Sequence, residues 1–138
     1  MIAYVDSSVI LRIVLNQTAQ LEDWRSIVTG VSSALAEVEC LRTIDRLTVM
    51  GVQGPSDAAA RRETVHRILE GLEVVALSPA ILRRAAQPSP VPLGSLDAIH
   101  LACAEAWREA TLKEATFATH DRQLGLAARA TGFKVIGV

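Results

Sequence analysis

The chain has 138 residues, half of them hydrophobic, which is enough apolar material for the core of one domain spanning 1–138. Its net charge of −1 does not fit a nonspecific nucleic-acid binder, because such proteins are normally strongly basic. Aromatic residues make up only 4%, which excludes a surface that stacks successive bases. Any contact with nucleic acid must therefore be local or assisted by a metal ion.

Cysteine usage and hydropathy predict an intracellular protein. Cys40 and Cys103 lie in apolar runs and form no CxxC motif, so we expect two buried free thiols in a reducing compartment. The N-terminal residues lack the basic segment of a secretory signal peptide. No apolar run approaches the roughly 18 residues that a membrane-spanning helix needs. We therefore expect a cytoplasmic location and no contact with a membrane.

Predicted strands and helices alternate along the first half of the chain. The strands are expected at 1–5 and 31–34, and the helices at 7–17, 20–30, 35–51 and 54–71. Pro55 and Gly71 mark the start and end of the last of these helices. Gly30 is interpreted as the C-terminal stop of the helix at 20–30.

The second half continues the alternation. Strands are predicted at 72–78, 115–119 and 133–138, helices at 79–86, 95–110 and 121–132, and a proline-rich loop at 87–94. Helical segments of this length between strands imply crossover connections, and crossover connections imply a parallel sheet.

Four acidic residues fall at the ends of these elements. Asp6 and Asp121 each come just after a strand, where ligands bind in open parallel sheets. Asp97 opens a strongly apolar helix two residues after Ser95, its expected cap. Glu39 lies in the first turns of the helix at 35–51. The two strand-end acids can meet at one rim of the sheet.

Converging carboxylates repel one another and raise each other's pKa, so a cluster of them indicates a bound cation. Oxygen ligands suit Mg²⁺ or Mn²⁺, and a water on such an ion can attack a phosphodiester. Each acid also has a purely structural interpretation. Asp6 and Asp121 can cap the helices that follow them, and Asp97 can favour the positive end of its helix by about 0.3–1 kcal/mol.

Four segments resemble the PIN-domain ribonucleases, specifically the VapC-type toxins of toxin–antitoxin pairs. In chain order they are YVDSSVIL, SSALAEVECLR, LGSLDAIHLACA and FATHDRQLGLAARATGFKVIGV. The resemblance runs over essentially the whole chain and implies a three-layer α/β/α fold with a central, mostly parallel sheet. It also implies an endoribonuclease that depends on Mg²⁺ or Mn²⁺ and cuts RNA. The implied partners are a second copy of the chain, in a homodimer, and an inhibitory cognate antitoxin.

The resemblance also assigns roles to individual residues. The catalytic acids it implies are Asp6, Glu39, Asp97 and Asp121. Of these, the three aspartates are the implied metal ligands. The supporting residues are Ser8, Thr119 and Arg42. Arg42 is expected either to steady Glu39 from three positions away or to contact a phosphate.

Two residues near these motifs have open roles. On a helical wheel Glu37 falls beside Leu41 and can face inward, whereas the family spacing favours Glu39 as the second acid. His100 lies on the same helix face as Asp97 and can be a general base. The resemblance instead gives His100 a structural role, and we expect it to pack in the core or to support the site.

Alternative functions come from inside and outside this family. A PIN-domain ribonuclease of RNA processing and a catalytically silent PIN binding module share the resemblance. A receiver domain also pairs acids with Mg²⁺, but it needs an aspartate at the end of the third strand and a lysine at the end of the fifth. The third strand here ends in VVALS, and Lys134 lies inside the last strand, so the receiver domain is disfavoured.

Overall fold

A five-stranded, all-parallel sheet forms the centre of the computed structural model, which describes residues 1–138. The strands are β1 (Ile2–Val5), β2 (Thr29–Ser33), β3 (Leu72–Val75), β4 (Thr116–Ala118) and β5 (Lys134–Ile136). Their order across the sheet is β3-β2-β1-β4-β5, and each neighbouring pair is parallel. The predicted parallel sheet is confirmed.

Helices cover both faces of the sheet. They are α1 (Ser7–Val14), α2 (Ala34–Val49), α3 (Pro55–Glu70), α4 (Pro79–Ala85), α5 (Ser95–Thr111) and α6 (Arg122–Ala130). Because side chains alternate along a strand, Ala3 and Val5 pack in one core with α1, α2 and α3, while Tyr4 packs in the other core with α4, α5 and α6. The expected three-layer α/β/α architecture is confirmed.

The strand order brings the two strand-end acids to the same edge. β1 and β4 are neighbours at the centre of the sheet, with Tyr4 opposite Phe117 and Val5 opposite Ala118. The backbone N–H of Asp6 donates to the carbonyl of Ala118 at 3.2 Å, which continues this pairing past the end of β1. The residues that follow each strand therefore emerge side by side at the carboxyl edge, as ligand-binding residues do in open parallel sheets.

The helix predicted at 20–30 is wrong. A 3-10 helix at Glu22–Ser26 is followed by β2, and Gly30 lies inside this strand opposite Ala3 and Leu72. A Cβ atom on Gly30 would collide with Cδ2 of Leu72. The glycine therefore makes room for a side chain of the neighbouring strand and does not end a helix.

The structure also bears on the predictions for the two cysteines and for the cap of α5. Cys40 and Cys103 are buried free thiols, one in each core, as predicted. Gly94, not Ser95, is the N-cap of α5, and Ser95 is the first helical residue. None of the helices combines the length and the apolar character that crossing a bilayer requires.

Candidate active site

Asp6 is held rigidly at the end of β1. Its side chain is only 3% exposed and caps α1, with Oδ1 accepting from the N–H groups of Ser8 at 3.1 Å and Val9 at 3.3 Å. The hydroxyl of Ser8 donates to the same oxygen at 2.6 Å. Thr119 donates its hydroxyl proton to Oδ2 at 2.8 Å. Both carboxylate oxygens therefore have fixed positions.

The hydroxyls of Ser8 and Thr119 connect Asp6 to the turn after β4. While each donates to Asp6, the Ser8 Oγ accepts from the N–H of His120 at 2.9 Å, and the Thr119 Oγ1 accepts from the N–H of Asp121 at 2.9 Å. Each hydroxyl thus uses its single proton on the carboxylate and a lone pair on the turn. The two bridges fix the backbone of Asp121 relative to Asp6.

Asp121 combines a structural contact with a free oxygen. It is the N-cap of α6, and its Oδ1 accepts from the N–H of Leu124 at 2.8 Å. Its Oδ2 makes no hydrogen bond with the protein. The capping interpretation is therefore correct for both strand-end aspartates, and Asp121 keeps one oxygen available for a ligand.

Asp97 lies in the first turn of α5 and makes no hydrogen bond or ion pair with the protein, although it is partly buried. Burial raises the pKa of its carboxyl, and the carboxylates of Asp121 and Asp6, followed by that of Glu39, raise it further. The other three acids are therefore within electrostatic reach of Asp97. A carboxylate in such surroundings is stabilised by a cation.

Asp6 has a raised pKa for a related reason. Burial is the largest cause and outweighs the opposing effects of the Ser8 hydrogen bond, of nearby His100 and of the Thr119 hydrogen bond. The carboxylate is thus costly to ionise, even though its hydrogen bonds are well formed.

The structure separates the two glutamates that the sequence left open. Glu39 is 19% exposed in its side chain, and its Oε1 lies 2.5 Å from Nε2 of buried His100. Glu37 has a side chain that is 51% exposed and lies 3.8 Å from His66, itself half exposed. Glu39 is therefore the glutamate that lies beside the aspartates.

Arg42 does not hold Glu39 in this structure. Its guanidinium pairs with Asp45 at 2.8 Å, and its side chain is 69% exposed. The expectation that it steadies Glu39 is wrong, because the acid one turn further along α2 competes successfully for the same guanidinium. Its contact with a substrate phosphate stays a prediction.

Sequence reasoning missed Tyr4. Its hydroxyl is buried and lies 3.0 Å from Nδ1 of His100, whose other nitrogen contacts Glu39. The signal was available, because Tyr4 is the only tyrosine of the chain and stands in a buried strand two residues before Asp6. A buried tyrosine hydroxyl usually has a hydrogen-bond partner, and here the partner leads to the site.

A divalent cation fits the chemistry of these donors. All four are hard oxygen donors, Asp97 has both oxygens free of protein partners, and the pKa of Asp97 is raised by its acidic neighbours. In the present arrangement no three His, Cys, Asp or Glu side chains converge closely enough to hold a metal ion. Binding would therefore require Asp97, whose carboxylate has no protein partner, to move toward Asp6 and Asp121.

A cleft of about 310 Å³ opens beside the cluster. It is lined by Ser8, Leu11, Arg12, Leu15, Gln17, Thr43, His120 and Asp121. A larger cavity, of about 490 Å³, shares Arg12 and His120 but contains none of the four acids. The smaller cleft is the space from which a substrate would reach Asp121.

Comparison with known proteins identifies the family. The PIN domain matches residues 3–130. The chain is 30% identical to ribonuclease VapC47 of Mycobacterium tuberculosis (strain CDC 1551 / Oshkosh), over 94% of this chain and 92% of that protein.

Solved structures agree on the fold. VapBC2 from Rickettsia felis, bound to a DNA fragment from its promoter, matches with a TM-score of 0.67 at 11% identity, over 98% of this chain and 97% of that chain. VapBC-5 from M. tuberculosis matches with a TM-score of 0.62 at 16% identity, over 99% and 98%. At these identities the two structures bear on the fold alone. With the family match over most of its length and its VapC relative, the chain belongs to the PIN-domain family and, within it, to the VapC-type ribonucleases.

Proposed function

We propose that this protein is a metal-dependent endoribonuclease and the toxin component of a type II toxin–antitoxin pair. The observation that carries the proposal is that the carboxylates of Asp121, Asp6 and Glu39 lie near enough to Asp97 to raise the pKa of its carboxyl, while Asp97 itself has no protein partner. A cluster of carboxylates without a structural partner favours a cationic ligand. The 30% identity to a ribonuclease over nearly the whole chain supports RNA as the substrate.

Three aspartates would hold the ion. Asp6 supplies a preorganised carboxylate, since Ser8 and Thr119 fix both of its oxygens. Asp97 and the free Oδ2 of Asp121 complete the donor set from two other elements. Mg²⁺ or Mn²⁺ bound there would neutralise the non-bridging oxygens of a phosphodiester and provide an activated water.

Glu39 has a different place in the proposed site. It comes from α2, which packs on the opposite face of the sheet from α6, and is held by His100 instead of by backbone N–H groups. A glutamate so placed can orient or deprotonate the water that attacks the phosphodiester. We therefore assign it a catalytic role apart from the three metal ligands.

The proposed partners are RNA, a second copy of the chain and a cognate antitoxin, all in the cytoplasm. The family membership and the VapBC-type neighbours support the antitoxin. The local charge supports it further, because a carboxylate whose pKa is raised by three other acids attracts a cationic side chain when the metal ion is absent. Arginine is best suited, since its planar guanidinium pairs with carboxylates through two hydrogen bonds.

The proposal is tested by incubating the purified protein with total RNA in Mg²⁺, Mn²⁺ or EDTA, with double-stranded DNA as a substrate control. We expect cleavage products from RNA that disappear in EDTA. Induced expression with and without the neighbouring open reading frame then tests the toxin role. RNA cleavage without growth arrest would favour an RNA-processing ribonuclease, and RNA binding without cleavage would favour a silent binding module.

A further inference from the structure

A chain of three buried or partly buried polar side chains crosses the site. The hydroxyl of Tyr4 lies 3.0 Å from Nδ1 of His100, and Nε2 of His100 lies 2.5 Å from Oε1 of Glu39. Tyr4 and His100 are each 1% exposed. The three residues come from β1, α5 and α2, so the chain ties three elements together at the point where the acids meet.

Tyr4 is itself held firmly. It lies in the central strand of the sheet, opposite Val31 on one side and Phe117 on the other. Its ring stacks on that of Phe117 with centroids 5.0 Å apart. Burial raises the pKa of the Tyr4 hydroxyl well above its ordinary value, and the thiol of Cys103 and the carboxylate of Asp6 add to the effect. A phenol hydroxyl has one proton to donate, and a buried one directs it at an acceptor.

The geometry selects one tautomer of His100. The Tyr4 hydroxyl lies 3.0 Å from Nδ1, and the neighbouring Ser33 hydroxyl, whose hydrogen bond lowers the pKa of the phenol, acts as a donor to it. Nδ1 is then the group that accepts the proton of the phenol. With Nδ1 as the acceptor, the ring proton lies on Nε2, which donates it to Glu39. In the opposite tautomer a lone pair on Nε2 would face a carboxylate oxygen at 2.5 Å, which is repulsive. The second hydrogen bond thus determines which nitrogen donates.

We propose that Tyr4 and His100 are positioning residues, which hold the carboxylate of Glu39 in its reactive orientation through a hydrogen-bond chain that runs from Tyr4 to His100 to Glu39. The inference rests on the proposed function and deepens it. No backbone N–H and no hydroxyl holds Glu39 or Asp97, whereas Asp6 has four such donors and Asp121 has one. Of the two acids without such donors, only Glu39 has a side-chain partner, so His100 supplies for Glu39 the orientation that capping supplies for Asp6 and Asp121.

The sharpest variant is Tyr4→Phe, because it removes one oxygen and keeps the ring that stacks on Phe117. We expect kcat for a defined RNA oligonucleotide to fall roughly 10-fold, as is typical when a partner behind an active-site ligand is lost, with KM unchanged. His100→Gln places an amide near the position of Nε2, and His100→Asn places it near Nδ1. We expect the Gln variant to keep clearly more activity than the Asn variant. His66→Gln is the matched control, since His66 also lies beside a glutamate but at the surface.

A spectroscopic measurement separates positioning from packing. Nitrogen-15 NMR of the histidine rings in the metal-free protein reports the tautomer directly. We expect wild-type His100 to carry its proton on Nε2 alone, and Tyr4→Phe to show a mixture of tautomers in a protein that is still folded. Wild-type kcat in Tyr4→Phe, equal activity of the two His100 variants, or a proton on Nδ1 in the wild type would overturn the inference. If no variant, wild type included, cleaves RNA, the proposed function fails, while the ring spectra still decide the tautomer.

Discussion

Thr119 donates its hydroxyl proton to Oδ2 of Asp6 at 2.8 Å and accepts the backbone N–H of Asp121 at 2.9 Å. One fully buried hydroxyl thus joins two acids that are 115 positions apart in the chain. Thr119 is neither a metal ligand nor a general base in the proposed site. Its substitution therefore measures how much this bridge between Asp6 and Asp121 contributes to stability.

Thr119→Val is expected to destabilise the protein by about 1–3 kcal/mol, since it leaves a buried N–H and a buried carboxylate oxygen without their partner while keeping the side-chain shape. Urea unfolding with the metal removed measures the change. Thr64→Val is the control, because the hydroxyl of Thr64 only bonds to the Ala60 carbonyl of its own helix. An equal, small loss in both variants would contradict the bridging role of Thr119.

The glutamates give a matched pair of substitutions. Glu39→Gln is expected to reduce RNA cleavage by on the order of 100-fold, because it removes the carboxylate proposed to orient or deprotonate water. Glu37→Gln should retain nearly full activity, since its side chain is half exposed and lies beside His66 at the surface. Initial rates on one RNA substrate, with melting temperatures, make the comparison. The reverse ranking would place the second acid at Glu37.

The acids also predict how stability depends on pH in the metal-free protein. Burial raises the pKa of both Asp6 and Asp97 in the folded state. The folded protein therefore takes up protons at a higher pH than the unfolded chain does, so the free energy of unfolding should increase as the pH falls from neutral toward these pKa values. The increase ends once the unfolded chain is protonated as well.

Chemical denaturation in EDTA at neutral and at mildly acidic pH measures this dependence. Asp97→Asn should be less sensitive to pH than the wild type and more stable at neutral pH, because it removes one of the repelling charges. Identical pH dependence in the two proteins would mean that Asp97 does not feel the other acids.

Much of the fold was predictable because its signals are local. Capping residues, prolines at the first turn and glycines at the end predicted helices close to those observed. The alternation of these helices with strands predicted the parallel sheet. The helix predicted at 20–30 failed because the reason for Gly30 is not local. Gly30 is needed because the side chain of Leu72 on the neighbouring strand occupies the space of a Cβ atom. The two residues are 42 positions apart, so a local sequence pattern does not reveal this contact.

The candidate site shows the same limit. The positions of Asp6 and Asp121 follow from strand ends, which the sequence marks clearly. The helical wheel allowed Glu37 to face inward, but a wheel contains no information about contacts with other helices. His100 holds Glu39 through such a contact, from 61 positions further along the chain. The prediction that Arg42 steadies Glu39 was wrong for a similar reason. Glu39 and Asp45 both lie three positions from Arg42, and only the structure shows that Arg42 pairs with Asp45.

Antitoxin binding should be coupled to metal binding. If the antitoxin inserts an arginine or lysine among the four carboxylates, the cation and the side chain compete for one negative pocket. Titration of Mn²⁺ into the protein with and without its antitoxin measures the competition, and we expect a weaker apparent metal affinity in the complex. Unchanged affinity with cleavage still blocked would mean that the antitoxin covers the path of the RNA instead.

The dependence of RNA cleavage on Asp97 tests the proposed metal site most directly. Asp97 makes no hydrogen bond or ion pair with the protein, so Asp97→Asn removes a charge without removing a structural contact. At saturating Mn²⁺, we expect the variant to cleave a defined RNA more than about 100-fold more slowly than the wild type, with an equal or higher melting temperature. Wild-type cleavage by a folded Asp97→Asn protein would contradict a catalytic metal site at the carboxyl edge of the sheet.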